Sequence, residues 1–192
     1  MSALVPMLQA LRKEDAEALL LKPPASPSAV REAEGRLGTE LPDGLGDFYL
    51  ISNGADFMPS IDVLSFRPVE ELRWECARDR GLHMLTLDLG CTVQGKEWEQ
   101  LPTMDRMLVI SDSHSEELMG YIDAEAVGQA MSALKDLGHL DDTSGEPGWR
   151  LILFRHWDPE LRWIQGGFRG YIEELAHKAE WKGATLAPCA RL

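Results

Sequence analysis

Apolar residues recur with helical spacing at both ends of the chain and with a tighter alternation between them. Leu4, Met7, Leu8, Leu11, Ala18 and Leu19 lie near one face of a helix drawn over the first twenty residues. Pro23 and Pro24 break it, because consecutive prolines cannot sit inside a helix. Ser26 can cap a second helix with Pro27 in its first turn; Val30, Ala33 and Leu37 form its apolar stripe, and Gly38 ends it. Pro42 opens a third, short helix in which Leu45, Phe48, Tyr49 and Ser52 share a face. Asn53-Gly54 then tolerates the left-handed conformation that stops a helix. Every conspicuous residue of the stretch LPDGLGDFYLISNGADF, residues 41–57, thus has a structural job.

Past this point the period shortens. Residues 61–66 alternate as a strand, with Ile61 and Val63 on one face and Leu64 and Phe66 on the other. Residues 68–80 read as a charged helix carrying Val69, Leu72, Trp74 and Cys76, and residues 81–106 as irregular, punctuated by Gly90, Gly95 and Pro102. Residues 107–111 and 118–122 form the two strands of a hairpin around a polar loop. A helix over 124–137, an acidic loop over 139–148, a strand over 149–157 and a closing amphipathic helix over 168–181 complete the order. Phe168, Ile172, Leu175 and Ala179 face inward on that last helix. Without regular βαβ alternation, the order predicts an α+β fold: N-terminal helices on a mainly antiparallel sheet, with a closing C-terminal helix.

One combination of residues is familiar. Val30, Ala33, Glu34, Leu37 and Gly38, then Leu41-Pro42, Phe48-Tyr49 and Asn53-Gly54, resemble the opening of the SUKH superfamily, in the order V-x-x-A-E-x-x-L-G, LP, an aromatic-rich helix and NG. Ile61 to Leu64, Leu108 to Asp112 with Gly120 to Asp123, and Gly167 to Leu175 resemble its later strands, central hairpin and C-terminal helix. The resemblance covers residues 28–178 of what reads as a single domain over 1–192, with residues 1–25 as an N-terminal helical extension and 81–106 as an insertion. Ala55 stands where a second glycine often follows NG. The superfamily holds fungal cell-wall regulators of the Smi/Knr type and many bacterial immunity proteins. The resemblance therefore implies a binding module, either an immunity protein against a secreted nuclease-type toxin or a regulatory scaffold without a toxin partner.

Charge sharpens this picture. Thirty-two acids against nineteen Lys plus Arg give a formal net charge of -13, which opposes binding to nucleic acid or anionic membranes and suits a basic protein partner. The acids that sequence order places at strand ends and in loops are the candidate contacts. They are Asp56 and Asp62 beside the NG turn; Asp112, Glu116 and Glu117 with His114 in the hairpin loop; and Asp141, Asp142 and Glu146 in the later loop. Apolar runs are too short for a membrane helix, and no leader pattern opens the chain, so a cytoplasmic protein is expected. Cys76, Cys91 and Cys189 are odd in number and contain no CxxC pair, which disfavours a disulfide framework or a thiolate zinc site.

Catalytic chemistry is poorly served. Asp112, His114, Glu116 and Glu117 are residue types that suit a metal, but their spacing fits no ligand motif. His156 and Asp158 could form an oriented pair for general-base work, yet no nucleophile motif accompanies them. Gly166-Gly167 precedes a helix without a Walker or dinucleotide pattern. Six tryptophans, Trp149, Trp157 and Trp163 among them, read as core, although an exposed one could anchor a partner. The expectation is a non-enzyme without metal or cofactor; a metal-dependent hydrolase is the least favoured alternative.

Overall fold

The computed structural model describes residues 4–14, 19–57, 65–112, 117–141, 145–155 and 158–185; for some of them, Asp112 and Glu117 included, it describes the backbone alone. In chain order the elements are α1 (Leu4–Glu14), β1 (Leu19–Leu21), α2 (Pro27–Leu37), α3 (Leu45–Ile51), β2 (Ala55–Phe57), β3 (Ser65–Phe66), β4 (Arg73–Cys76), β5 (Arg106–Val109), β6 (Ser111–Asp112), β7 (Glu117–Ile122), α4 (Ala124–Asp136), β8 (Arg150–Arg155), β9 (Asp158–Ile164) and α5 (Gly167–Thr185). All strand pairs given below are antiparallel, and the fold is α+β. The chain divides into two compact units, Met1–Glu70 with Gln165–Leu192, and Glu71–Ile164.

In the first unit, Leu4 and Leu8 of α1 are buried, and α5 packs along that helix. Ser26 accepts the Ala29 N–H at 3.1 Å to cap α2, and Gly38 closes that helix at φ 73°. Leu45, Phe48, Tyr49 and Ser52 are all 0 % exposed, so the inward face drawn from their spacing is the real one. Phe48 meets Phe168 at 4.8 Å, Tyr49 at 5.5 Å and Phe66 at 5.8 Å between ring centroids. Tilted and edge-on contacts of this kind add to the area the rings bury.

β1 pairs with β2 from Leu19 against Phe57 to Leu21 against Ala55, and β2 pairs with β3. The pairing continues beyond the strands: Lys22 N–H donates to the Gly54 carbonyl, Asn53 N–H to Pro23 and Ala25 N–H to Tyr49. Leu19 to Leu21 are therefore strand rather than the tail of a first helix. A short apolar run suits either state, and Pro23 disfavours the helical conformation at Lys22. Residues 15–18, Ala18 among them, lie outside the described residues.

The second unit is built on a five-stranded sheet in the order β4-β5-β7-β8-β9. Met107, Val109, Leu118, Ile122 and Ile152 on one sheet face cluster with Val127, Ala130 and Met131 of α4. Asp123 caps α4 by accepting the Ala126 N–H at 2.8 Å. It also receives Arg106 Nη2 at 3.0 Å, while the same guanidinium lies 4.3 Å from the Trp74 ring centre. The segment between β4 and β5 has its own order: a 3-10 helix at Gly95–Gln100, a bridge between Thr86 and Thr103, and buried Leu82, Leu87, Val93, Leu101 and Met104.

Two departures share one cause. Residues 68–80, read as a helix, are a 3-10 turn at Val69–Glu71, the strand β4 and a second 3-10 turn at Ala77–Arg80. Residues 158–164 form β9, which the hydrophobic pattern does not announce. Both strands lie at the edges of the sheet. Edge strands carry charges that deter pairing with other chains, and such charges blur the apolar alternation by which a strand is recognised. Arg73, Glu75, Glu160 and Arg162 have that effect here.

Candidate functional site

The aromatic motif at 41–57 is scaffold. Tyr49 Oη donates to the Arg67 carbonyl at 3.1 Å inside the core, and the Ser52 hydroxyl lies within reach of the Lys22 and Gly54 carbonyls. Asn53 does not stop α3 by turning left-handed; Ser52 closes the helix in an extended conformation, and positive φ comes only at Gly54 (96°). A Cβ at Gly54 would lie 2.6 Å from the Phe66 carbonyl oxygen, so the strand contact itself requires glycine. The Asn53 side chain instead accepts the Val69 N–H at 2.8 Å and donates to Glu70 at 2.9 Å. That carboxamide braces the strand-to-turn region from a distance of sixteen residues in sequence.

The carboxylates singled out for a partner are distributed as follows. Asp56 is half-buried on β2, 3.7 Å from Lys22 Nζ. The backbones of Asp112 and Glu117 lie in β6 and β7, at the mouth of the hairpin. Asp141 and Glu146 are exposed. Asp62, His114, Glu116 and Asp142 lie outside the described residues, as does His156. Among the described residues no group of three or more His, Cys, Asp or Glu side chains could hold a metal, and no helix is long and apolar enough to cross a membrane.

The structure links the acidic loop after α4 to the segment between β4 and β5. His139 Nε2 lies 3.0 Å from Glu97 Oε2, the same oxygen that accepts the Gln94 backbone N–H at 3.1 Å. The Gln94 bond, and after it the His139 imidazole, hold the Glu97 carboxyl below its ordinary range. Leu140 packs with Val93, Leu101 and Leu134, which places Asp141 next in chain to that apolar cluster.

Beside this junction is a cleft of about 390 Å³, lined by Leu85, Val93, Leu161, Trp98 and Trp163 together with Thr86, Asp88, Gly90, Cys91 and Thr92. Asp88 Oδ1 accepts the Trp163 indole N–H at 2.8 Å and the Gly90 N–H at 2.9 Å. The turn is tight: Cys91 N–H returns to the Asp88 carbonyl, and both central residues have positive φ, Leu89 at 52° and Gly90 at 83°. A leucine in that region is strained, and Leu89 is held there by packing against two apolar clusters. Burial, and behind it the Asp88 carboxylate, push the Cys91 thiol up. Trp98 remains 38 % exposed and Met84 76 %. A second hollow of about 230 Å³ is lined by Met104, Asp105, Arg106 and Asp123, but its Arg106 and Asp123 are committed to each other.

Sequence reasoning did not find the tryptophan cleft. The one available signal was Trp98 between Glu97 and Glu99 in a glycine-punctuated stretch, a setting that suits a surface rather than a core.

Capped helices and antiparallel sheets make this an α+β protein. Residues 24–132 match the SMI1 / KNR4 family (SUKH-1), and the chain belongs to that family. The matched span runs from the segment before α2 into α4 and includes the tryptophan-bearing stretch after β4. No curated protein matches the chain.

Proposed function

We propose that this chain is a cytoplasmic, non-catalytic immunity protein that neutralises a basic, nuclease-type toxin by covering its substrate face. Membership of a family that includes immunity proteins, and is generally non-catalytic, supports the class. The observation that carries the reading is the net charge of -13. A nuclease must present a positive surface to nucleic acid, and a negative protein surface competes for it. Opposite fields accelerate encounter, while apolar contacts made after docking set the residence time. In this reading Asp56, Asp62, Asp112, His114, Glu116, Glu117, Asp141, Asp142 and Glu146 are the partner-facing residues, with no metal or cofactor taking part.

The test is kinetic. The partner is first co-purified from the native cell, and its association is then followed by stopped flow or surface plasmon resonance across salt concentrations. Association should slow as salt rises, because screening shortens the reach of charge to about 8 Å at physiological ionic strength. Glu116→Lys with Glu117→Lys should slow association more than it speeds dissociation. A salt-independent on-rate with the genuine partner, or enzymatic turnover by the pure protein lost on His114→Ala, would sink the proposal.

A further inference from the structure

The cleft between Trp98 and Trp163 lies wholly in the unit Glu71–Ile164, and the packing of its own unit leaves it open. We propose that it is the anchor site for the protein partner, taking one large apolar side chain from an extended, basic segment of that partner. The inference rests on the binding-module reading and adds to it a place and a recognition chemistry.

Three observations carry it. The lining is mixed: Trp98 and Trp163 with Leu85, Val93 and Leu161 supply an aromatic and apolar part, the kind of surface that takes an interface anchor, beside polar Thr86, Asp88 and Thr92. It is also preformed. The Asp88 bonds to Trp163 and Gly90, and the left-handed Leu89-Gly90 turn, fix one wall, so little ordering is required on binding. The third is charge. Residues 86–101 hold Asp88, Glu97 and Glu99 against Lys96 alone, and residues 136–141 hold Asp136 and Asp141 with no Lys or Arg. The contact between His139 and Glu97 brings these two stretches together beside Trp98. A cleft that offers two indole rings within a polar, negative surround selects an apolar side chain flanked by lysine or arginine. It disfavours a second copy of this chain, which itself carries a charge of -13.

Cys91 lines the cleft and Cys76, exposed on β4, does not, so the two thiols form an internal pair of reporters. The probe is a synthetic heptapeptide of lysine and arginine around one central leucine; the control replaces that leucine with serine. Alkylation by iodoacetamide is mapped by mass spectrometry at each cysteine. The leucine peptide should slow reaction at Cys91 and leave Cys76 unchanged, and the serine peptide should protect neither. Trp98→Ala should raise the peptide concentration needed for protection about tenfold, the loss usual for an interface anchor. Glu99→Lys, a change at an exposed position, should weaken protection in the same direction without touching the lining. Equal protection by both peptides, protection of Cys76 as well, or no protection overturns the inference. So does self-association in the ultracentrifuge that Trp98→Ala abolishes, which would assign the cleft to a second copy. With the genuine partner in hand, binding that responds to charge reversal at Glu116 and Glu117 but ignores Trp98→Ala refutes the cleft and keeps the immunity reading; absence of any basic partner refutes that reading itself.

Discussion

Aromatic side chains do opposite work in the two units. In the first, Phe48, Tyr49, Phe66 and Phe168 are buried to within 1 % and touch one another. In the second, Trp98 keeps 38 % of its surface in water, and Trp163 spends its polar edge on Asp88 at the side of an open cleft. What separates them is their setting. Phe48 and Tyr49 sit at helical spacing within a short α3 whose other inward positions are also apolar, so burying them completes a face. Trp98 sits between two glutamates on a 3-10 stretch that has no buried residue, so there is no apolar face for the ring to complete. An aromatic residue reports its role through the company it keeps.

The largest effect that could break this comparison is Phe48→Ala. Removing a ring packed on three others leaves a cavity, and the change should cost about 3–5 kcal/mol in urea denaturation. Trp98→Ala, by contrast, should cost about 1 kcal/mol or less, as expected of a partly exposed position outside the core. Equal losses for the two variants, or a Phe48→Ala protein that stays fully stable but no longer binds its partner, would erase the distinction between scaffold and contact surface.

Asn53→Ala is the next step down and tests how the scaffold is held. The side chain supplies an acceptor to the N–H of buried Val69, and its loss leaves that donor unpaired at a cost of about 1–3 kcal/mol. Asn53→Asp keeps an acceptor there but sets a carboxylate against Glu70, so it should recover only part of the loss. A neutral Asn53→Ala in equilibrium unfolding would show that the brace contributes nothing.

These residues also mark what the sequence could reveal. The inward face of α3, the cap of α2 by Ser26, the span of α4 and the closing helix α5 follow from local spacing and capping chemistry, which act over three or four residues. The family resemblance rests on those same local patterns, and the match over residues 24–132 agrees with it. The role of Asn53 was not legible, because its partner lies sixteen residues away and NG reads equally well as a helix stop. Nor were β4 and β9, whose edge positions favour charge over alternation. The cleft was least visible of all: Asp88 and Trp163 meet across seventy-five residues, and nothing in their local sequence announces the bond.

The smallest expected effect concerns the stretch that presents Trp98. Glu97 Oε2 accepts the Gln94 N–H and lies against His139, so its charged form is favoured in the folded protein and its carboxyl titrates below the ordinary range. A carboxyl depressed by folding stabilises the fold above its unfolded value, and that contribution disappears as pH falls through the depressed folded value. Glu97→Gln retains a carbonyl oxygen for the Gln94 N–H but removes the titration. The advantage of the native protein over Glu97→Gln should therefore be present near neutral pH and shrink as acid is added below the usual carboxylate range, about pH 4. His139→Ala should raise the Glu97 titration midpoint only part of the way, since the Gln94 bond is the larger cause. Carbon-detected NMR of the Glu97 carboxyl reads both directly. An ordinary midpoint in the native protein would mean that this cap does not form in solution, and that Trp98 is presented by a looser segment than the preformed cleft requires.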